Sequence, residues 1–161
     1  MESIDPKREM IRHTVATLAY RGGKAVRGAP ESFAGFRASE TTRTPAQILA
    51  HICDLLDWAL SMARGAEKWR DSAPQPWAQD VERFHSCLAR FDEFLASGED
   101  LACTCERLFQ GAIADALTHV GQVAMLRRIA GAPMRGENYS KAEIQAGRVG
   151  ADQAAPLREF D

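Results

Sequence analysis

The chain has 161 residues, of which 45% are hydrophobic and 26% charged, and its formal net charge is −2. This length and composition indicate one globular domain, and the small charge excludes broad attraction to nucleic acid or an anionic membrane. No apolar run approaches the ~20 residues of a membrane span. Because residues 1–5 lack the basic and apolar regions of a signal peptide, we expect a cytoplasmic protein.

Apolar residues recur at helical spacing along most of the chain, and no alternating pattern typical of strands is present. Gly22 and Gly23 lower the helix propensity near the end of the first predicted helix. The connection over 28–43 is long enough to cross over the fold. The predicted helices cover about residues 6–27, 45–64, 77–96 and 104–129. Four amphipathic helices predict an all-α fold, a four-helix bundle.

The second helix has the clearest start and stop. Thr44 is a candidate N-cap, Pro45 suits the first helical position, and Gln47 occupies the capping-box position. Gly65 is a stop signal. A helical wheel of this segment has an apolar face and a polar face. The apolar face carries Ile48, Ile52, Leu55, Trp58, Ala59 and Met62, and the other side carries Asp54, Asp57 and Ser61.

We predict a single domain over residues 1–161, with its core over about 5–132 and a polar tail over 133–161. Within the tail, Ser140 as a cap and Glu143 three residues later predict one short extra helix. The role of this tail does not follow from its composition.

Two histidines and one aspartate form the sharpest chemical pattern. Asp115 and His119 are four residues apart on the fourth helix and project from the same face, while His51 lies amid the apolar face of the second helix. Two imidazoles and a carboxylate are a common ligand set for zinc, iron, nickel or manganese, with open positions for water or substrate. Gln122, one turn beyond His119, could orient a ligand or the bound water.

Ordinary structural interpretations remain open for these residues. His51 could be a core histidine bonded to the backbone or a side chain. The fourth helix is apolar nearly all round, so it is central or shared with a partner subunit. A buried Asp115 there needs a cation or hydrogen-bond donors, which a salt bridge or an Asp–His bond also supplies. We expect His13 to be exposed or interfacial and His85 to border the core.

The four cysteines, at positions 53, 87, 103 and 105, include no Cys-x-x-Cys pair, so neither a zinc ribbon nor a thioredoxin-type site is indicated. We expect reduced thiols, as in cytosolic proteins. On helical wheels Cys53 and Cys87 lie off the stripes that carry the histidine and the core, so neither is a candidate nucleophile.

Two segments resemble the DinB/YfiT-like metalloenzyme family. Residues 44–51 (TPAQILAH) resemble its second-helix signature, and residues 111–128 (GAIADALTHVGQVAMLRR) its later histidine helix, with similarity over about 5–132. The resemblance implies a bundle of up-down-down-up topology, often a homodimer, with a metal on His51, Asp115 and His119. Many members have three histidines, and here Asp115 stands in place of the middle one.

Some members of that family use the metal to activate a low-molecular-weight thiol. The resemblance therefore implies a metal-dependent transferase or hydrolase acting on a small organic molecule, in a pocket walled by side chains such as Trp58. The alternative is a non-catalytic dimeric bundle, a binding or stress-response protein whose polar stripe is a structural network. No nucleic acid or membrane partner is expected.

Overall fold

The computed structural model describes residues 5–160 and is mostly helical, which confirms the all-α class. All four predicted stretches are helical. The helices are α1 (Pro6–Val26), α2 (Pro45–Ala63), α3 (Trp77–Ala96), α4 (Cys105–Leu108) and α5 (Ala114–Ile129). Within the described range, none of them is both long and apolar enough to cross a membrane. Residues 1–4 and 161 of the predicted domain lie outside this range.

Local chemistry sets the bounds of α2 as predicted. The Gln47 N–H donates to the Thr44 hydroxyl at 3.2 Å, and the Thr44 N–H donates to the Gln47 side-chain oxygen at 2.9 Å. This capping box satisfies two backbone donors that the first helical turn leaves free. At the other end Gly65 adopts a φ of 75°, a left-handed conformation suited to glycine.

The glycine pair does not end α1, because Gly22 faces a neighbouring helix. A Cβ at Gly22 would lie 2.6 Å from Cζ of Phe84, whose ring is fully buried on α3. The missing side chain lets the two helices approach closely, and this contact offsets the lower helix propensity of glycine.

The long helices pack around one apolar core, with α1 and α2 each contacting α3 and α5. Two buried arginines tie helix ends together. The Arg8 guanidinium donates to the carbonyls of Phe94 and Leu95 near the end of α3. The Arg127 guanidinium donates to the carbonyls of Ala25 and Arg27, at 3.1 and 2.7 Å. Carbonyls at helix ends lack partners within their own helix, so these bonds satisfy them.

The fourth predicted helix is less regular than expected. Between α4 and α5 the chain forms a π-helix over Phe109–Ile113. Single-turn π segments inside α-helices are frequent at functional sites. Because the extra residue per turn leaves no mark on hydrophobic spacing over five residues, the periodicity did not predict it.

The tail carries structure that the sequence pattern did not predict. Strand β1 (Gly136–Glu137) pairs antiparallel with β2 (Glu159–Phe160). The extra helix predicted from Ser140 is wrong in position and type. It is a 3₁₀ turn over Tyr139–Lys141 capped by Asn138, and the chain is extended at Ala142. The Asn138 side chain accepts from the Ser140 N–H and takes over the cap.

Buried charges fasten this tail to α1. The Lys24 ammonium donates to Glu137 and to Glu159 at 2.8 Å each, and the Tyr20 hydroxyl donates to Glu137 at 2.6 Å. The Glu137 side chain is fully buried. Burial and the neighbouring carboxylate raise the pKa of Tyr20. The tail is therefore an integral part of the packed structure.

Candidate metal centre

The structure brings together the three residues that the sequence singled out as ligands. His51 lies on α2, Asp115 and His119 lie on α5, and these two helices are packed neighbours. One ligand atom from each of the three residues lies within 4.8 Å of the others. The two imidazole rings are perpendicular, with 4.7 Å between their centroids.

The distances from Asp115 to the imidazoles are informative. His51 Nε2 lies 3.6 Å from one carboxylate oxygen of Asp115, and His119 Nε2 lies 3.5 Å from the other. Both exceed the roughly 2.7–3.2 Å of an N–H···O hydrogen bond. Two ligands that each lie about 2.1 Å from one ion are separated by about 3.0–3.5 Å. The spacing is therefore closer to a shared ion than to direct Asp–His hydrogen bonds.

Gln122 fixes the orientation of one imidazole. His119 Nδ1 lies 2.7 Å from the Gln122 side-chain oxygen. An amide oxygen only accepts, so Nδ1 carries the proton and the lone pair of the ring lies on Nε2. This Nε2 is the nitrogen that faces Asp115. Metal-binding histidines usually hold their second ring nitrogen in this way.

His51 is partly shielded by aromatic rings. Its side chain is 20% exposed, and Trp69 packs edge-on against it at 5.6 Å between centroids. Burial, and then the neighbouring His119 and Arg43, lower the pKa of His51 below its usual 6.5. The imidazole is therefore neutral near pH 7, which is the form that binds metals.

Asp115 is less buried than the sequence pattern indicated. Its side chain is 47% exposed, so the expectation of a buried carboxylate on a helix covered all round is wrong. Near the end of α5, Met125 and Ile129 are 66% and 55% exposed. His51, His119 and Gln122 lie at the boundary between α2 and α5, where they line a groove.

This groove adjoins the histidines and holds about 550 Å³. Most of its wall is apolar, and one side comes from the connection that precedes α2. The lining residues are Ala38, Thr42, Arg43, Ile48, His51, His119, Gln122, Met125, Leu126 and Ile129. Its volume is in the range of small-molecule sites. A smaller cavity of about 210 Å³, lined by Arg43, Gln47 and Asp71 among others, also touches His51.

Two tryptophans stand behind the histidine pair. Trp58 and Trp69 pack edge to face at 5.8 Å between centroids. Trp58, which the sequence placed in the pocket wall, lines neither the groove nor the smaller cavity, so that prediction is wrong. Its ring lies beside the π-helix, since a Cβ at Gly111 would lie 3.8 Å from it. Sequence reasoning missed Trp69 because it lies in an irregular connection, where no periodicity assigns a direction.

The predicted polar face of α2 is buried at Asp54, whereas Asp57 and Ser61 are partly exposed. Asp54 is 3% exposed and accepts from Arg83 and from the Ser72 N–H, both at 2.8 Å. Cys53 and Cys87 lie in the core between α2 and α3, so the expectation that they lie off the core is wrong. Hydrogen bonding to Cys87 and burial raise the pKa of Cys53, which disfavours its thiolate.

The remaining histidines lie away from the triad. His13 is exposed on α1, as expected. His85 packs against Phe84 and borders the core, also as expected. Burial lowers the pKa of His85. Neither belongs to the group of His51, Asp115 and His119.

No family model, curated protein or solved structure matches the chain. The resemblance to DinB/YfiT-like metalloenzymes therefore stays a prediction. What the triad can do follows from its donor set, the tautomer held by Gln122 and the adjoining groove.

Proposed function

We propose that this chain is a metal-dependent protein that holds a divalent transition metal on His51, Asp115 and His119. Zinc, nickel, iron and manganese all accept such a donor set. The observation that carries the proposal is the pair of 3.5 and 3.6 Å separations between Asp115 and the two imidazoles. They are too long for hydrogen bonds and close to the spacing of ligands on one ion.

The surrounding side chains fit such an ion. Gln122 leaves Nε2 of His119 free to coordinate, and His51 is neutral near pH 7. Three protein ligands leave further positions open, as in catalytic sites. A bound ion supplies Lewis acidity and lowers the pKa of a coordinated water or thiol. The groove would admit a small organic substrate, which favours a transferase or hydrolase, including one that uses a low-molecular-weight thiol.

We also propose membership of the DinB/YfiT-like family and an up-down-down-up bundle. Contacts at the helix ends support this topology. Arg8 at the start of α1 bonds to the end of α3, whereas Arg127 at the end of α5 bonds to the end of α1. Between α2 and α3, Asp54 pairs with Arg83 and Asp57 with Arg90, so residue numbers increase together.

On the remaining side, α2 and α5 run in opposite directions in this topology. His51 contacts His119, and Trp58, about two helical turns later on α2, lies beside Gly111, which precedes His119. Homodimerisation, which the resemblance implies, is a further part of this proposal. The exposed Met10 and Phe109, which line a surface pocket apart from the groove, form an apolar surface that a second subunit could cover.

Metal content tests the proposal directly. Elemental analysis of protein purified without an affinity tag should give about one equivalent of a transition metal per chain. His119→Ala should lose it, because one ligand is removed. His13→Ala is the matched control, since that exposed histidine lies outside the triad and should retain the metal. Wild-type protein that stays metal-free after incubation with zinc, nickel and manganese would refute the proposal.

One observation favours the second candidate function, a non-catalytic binding or stress-response protein. Because the Asp115 side chain is 47% exposed, water can solvate the carboxylate without a cation. The edge-to-face contacts of His51 with His119 and with Trp69 would then form a structural network. On this alternative, His119→Ala changes the free energy of unfolding, and neither the wild-type protein nor the variant contains metal.

A further inference from the structure

We propose that the groove beside the triad binds a small carboxylic acid with an apolar body, its carboxylate on Arg43 and its body against Met125 and Ile129. This inference rests on the proposed function, since it names the substrate class of that same site. It assigns separate tasks to the two ends of the groove: anion binding at the connection before α2 and apolar contact at the end of α5.

The apolar part of the groove has a buried floor and exposed walls. Ile48 and Leu126 are buried, whereas Met125 and Ile129 are large apolar side chains left open to solvent on the same helix face. Exposed apolar surface gains free energy when it is covered, by about 25 cal/mol per Å². A hydrocarbon chain or a ring in the groove would cover the exposed Met125 and Ile129 and rest against the buried Ile48 and Leu126.

Arg43 supplies the charge that selects the ligand. It is exposed, and within residues 5–160 it makes no hydrogen bond or ion pair. It lines both the groove and the smaller cavity beside His51, and it is the one fully charged side chain among the residues that line the groove. The guanidinium fork matches the two oxygens of a carboxylate.

A small molecule fits this groove better than a protein partner. The volume of about 550 Å³ suits a ligand of roughly drug size. The groove is also lined by two imidazoles and the Gln122 amide, polar groups that a covering apolar face would separate from water. Asp115 does not line the groove. Asp54 and Asp71 line the smaller cavity that shares Arg43, but within residues 5–160 neither of them pairs with Arg43.

Calorimetric titration with three probes tests this inference. Octanoate carries both recognition features, octanamide lacks the charge, and acetate lacks the apolar body. Titrations of metal-free protein, prepared with a chelator, separate this test from the metal proposal. Arg43→Gln removes the cation, Met125→Asp places a negative charge on the apolar wall, and Arg128→Gln is the matched control, an exposed arginine outside the groove.

We expect saturable octanoate binding that is about tenfold or more tighter than octanamide binding, the size of one charge-assisted hydrogen bond. Arg43→Gln should abolish this difference, Met125→Asp should weaken octanoate binding at least about tenfold, and Arg128→Gln should bind like wild type. Acetate should not bind measurably.

Three results would overturn the inference. These are equal affinity for octanoate and octanamide, octanoate binding that Arg43→Gln leaves unchanged, and no octanoate binding to either metal-free or metal-loaded protein. A dimer that Met125→Asp dissociates, together with absent octanoate binding, would assign the groove to a second copy. Metal content measured on the same samples reports independently whether the triad holds an ion.

Discussion

The hydrogen bond between His119 and Gln122 offers the sharpest test of the candidate centre. Replacing Gln122 by Leu keeps a side chain of similar volume but removes the oxygen that lies 2.7 Å from Nδ1 of His119. The imidazole then loses its fixed tautomer and its orientation toward Asp115. Gln122→Glu is the matched control, because a carboxylate oxygen also accepts from Nδ1–H.

The expected magnitude follows from the position of Gln122. It is exposed, and the contact of its side-chain oxygen with His119 is what orients the ring. Losing a group that orients a metal ligand typically lowers metal affinity about 10–100-fold, or about 1.4–2.7 kcal/mol. Because an exposed side chain contributes little to folding, the free energy of unfolding of the apo protein should change by less than about 0.5 kcal/mol.

Competition with a chromophoric chelator measures the zinc affinity of wild type, Gln122→Leu and Gln122→Glu, and urea unfolding of the apo proteins measures stability. We expect Gln122→Leu to bind zinc about 10–100-fold more weakly and Gln122→Glu to bind at least as tightly as wild type. Equal affinities for Gln122→Leu and wild type would refute the assignment of Gln122 as the residue that positions His119.

Two further predictions concern stability. Gly22→Ala should lower the free energy of unfolding in urea by about 1–3 kcal/mol, because the new Cβ would lie 2.6 Å from Cζ of the buried Phe84 ring. Gly121→Ala is the control, since a Cβ there would meet no neighbouring side chain or other element within 4 Å, and it should be neutral or stabilising. A loss of much less than 1 kcal/mol in Gly22→Ala would contradict this prediction and would mean that the Phe84 ring moves aside. Burial lowers the folded-state pKa of His85 and of His51, so the unfolded state binds more protons below about pH 6.5 and stability should fall with decreasing pH. His85→Gln should flatten this slope between about pH 7.5 and pH 5.5, and an unchanged slope would contradict it.

The helices could be predicted because their signals are local. Hydrophobic spacing and the Thr44 capping box report directly on backbone hydrogen bonding within a few residues, and the structure follows both. The tail could not be predicted in the same way. Glu137 is buried because Lys24, over a hundred residues earlier, pairs with it, and no local pattern records such a pairing.

The site was predictable in composition but not in environment. The i, i+4 spacing of Asp115 and His119 fixes their common face, so their proximity followed from one helix alone. Whether that face is covered depends on what packs over it. Here the neighbouring elements leave Asp115 half exposed, and the apolar pattern of α5 extends onto surface that stays open at Met125.

The errors on α2 have one physical cause, and it also explains the site. A wheel assumes that a helix has one buried face, but α2 packs against α3 as well as α5. Asp54 and Cys53 are therefore buried on the side of α3, while His51 lies on the partly open side of α5. Toward α3, Asp54 pairs with Arg83 at 2.8 Å, whereas the two imidazoles lie 3.6 and 3.5 Å from Asp115, distances too long for hydrogen bonds. The proposed metal centre and the proposed ligand groove share His51, His119 and Gln122, which is why they are best tested as one site.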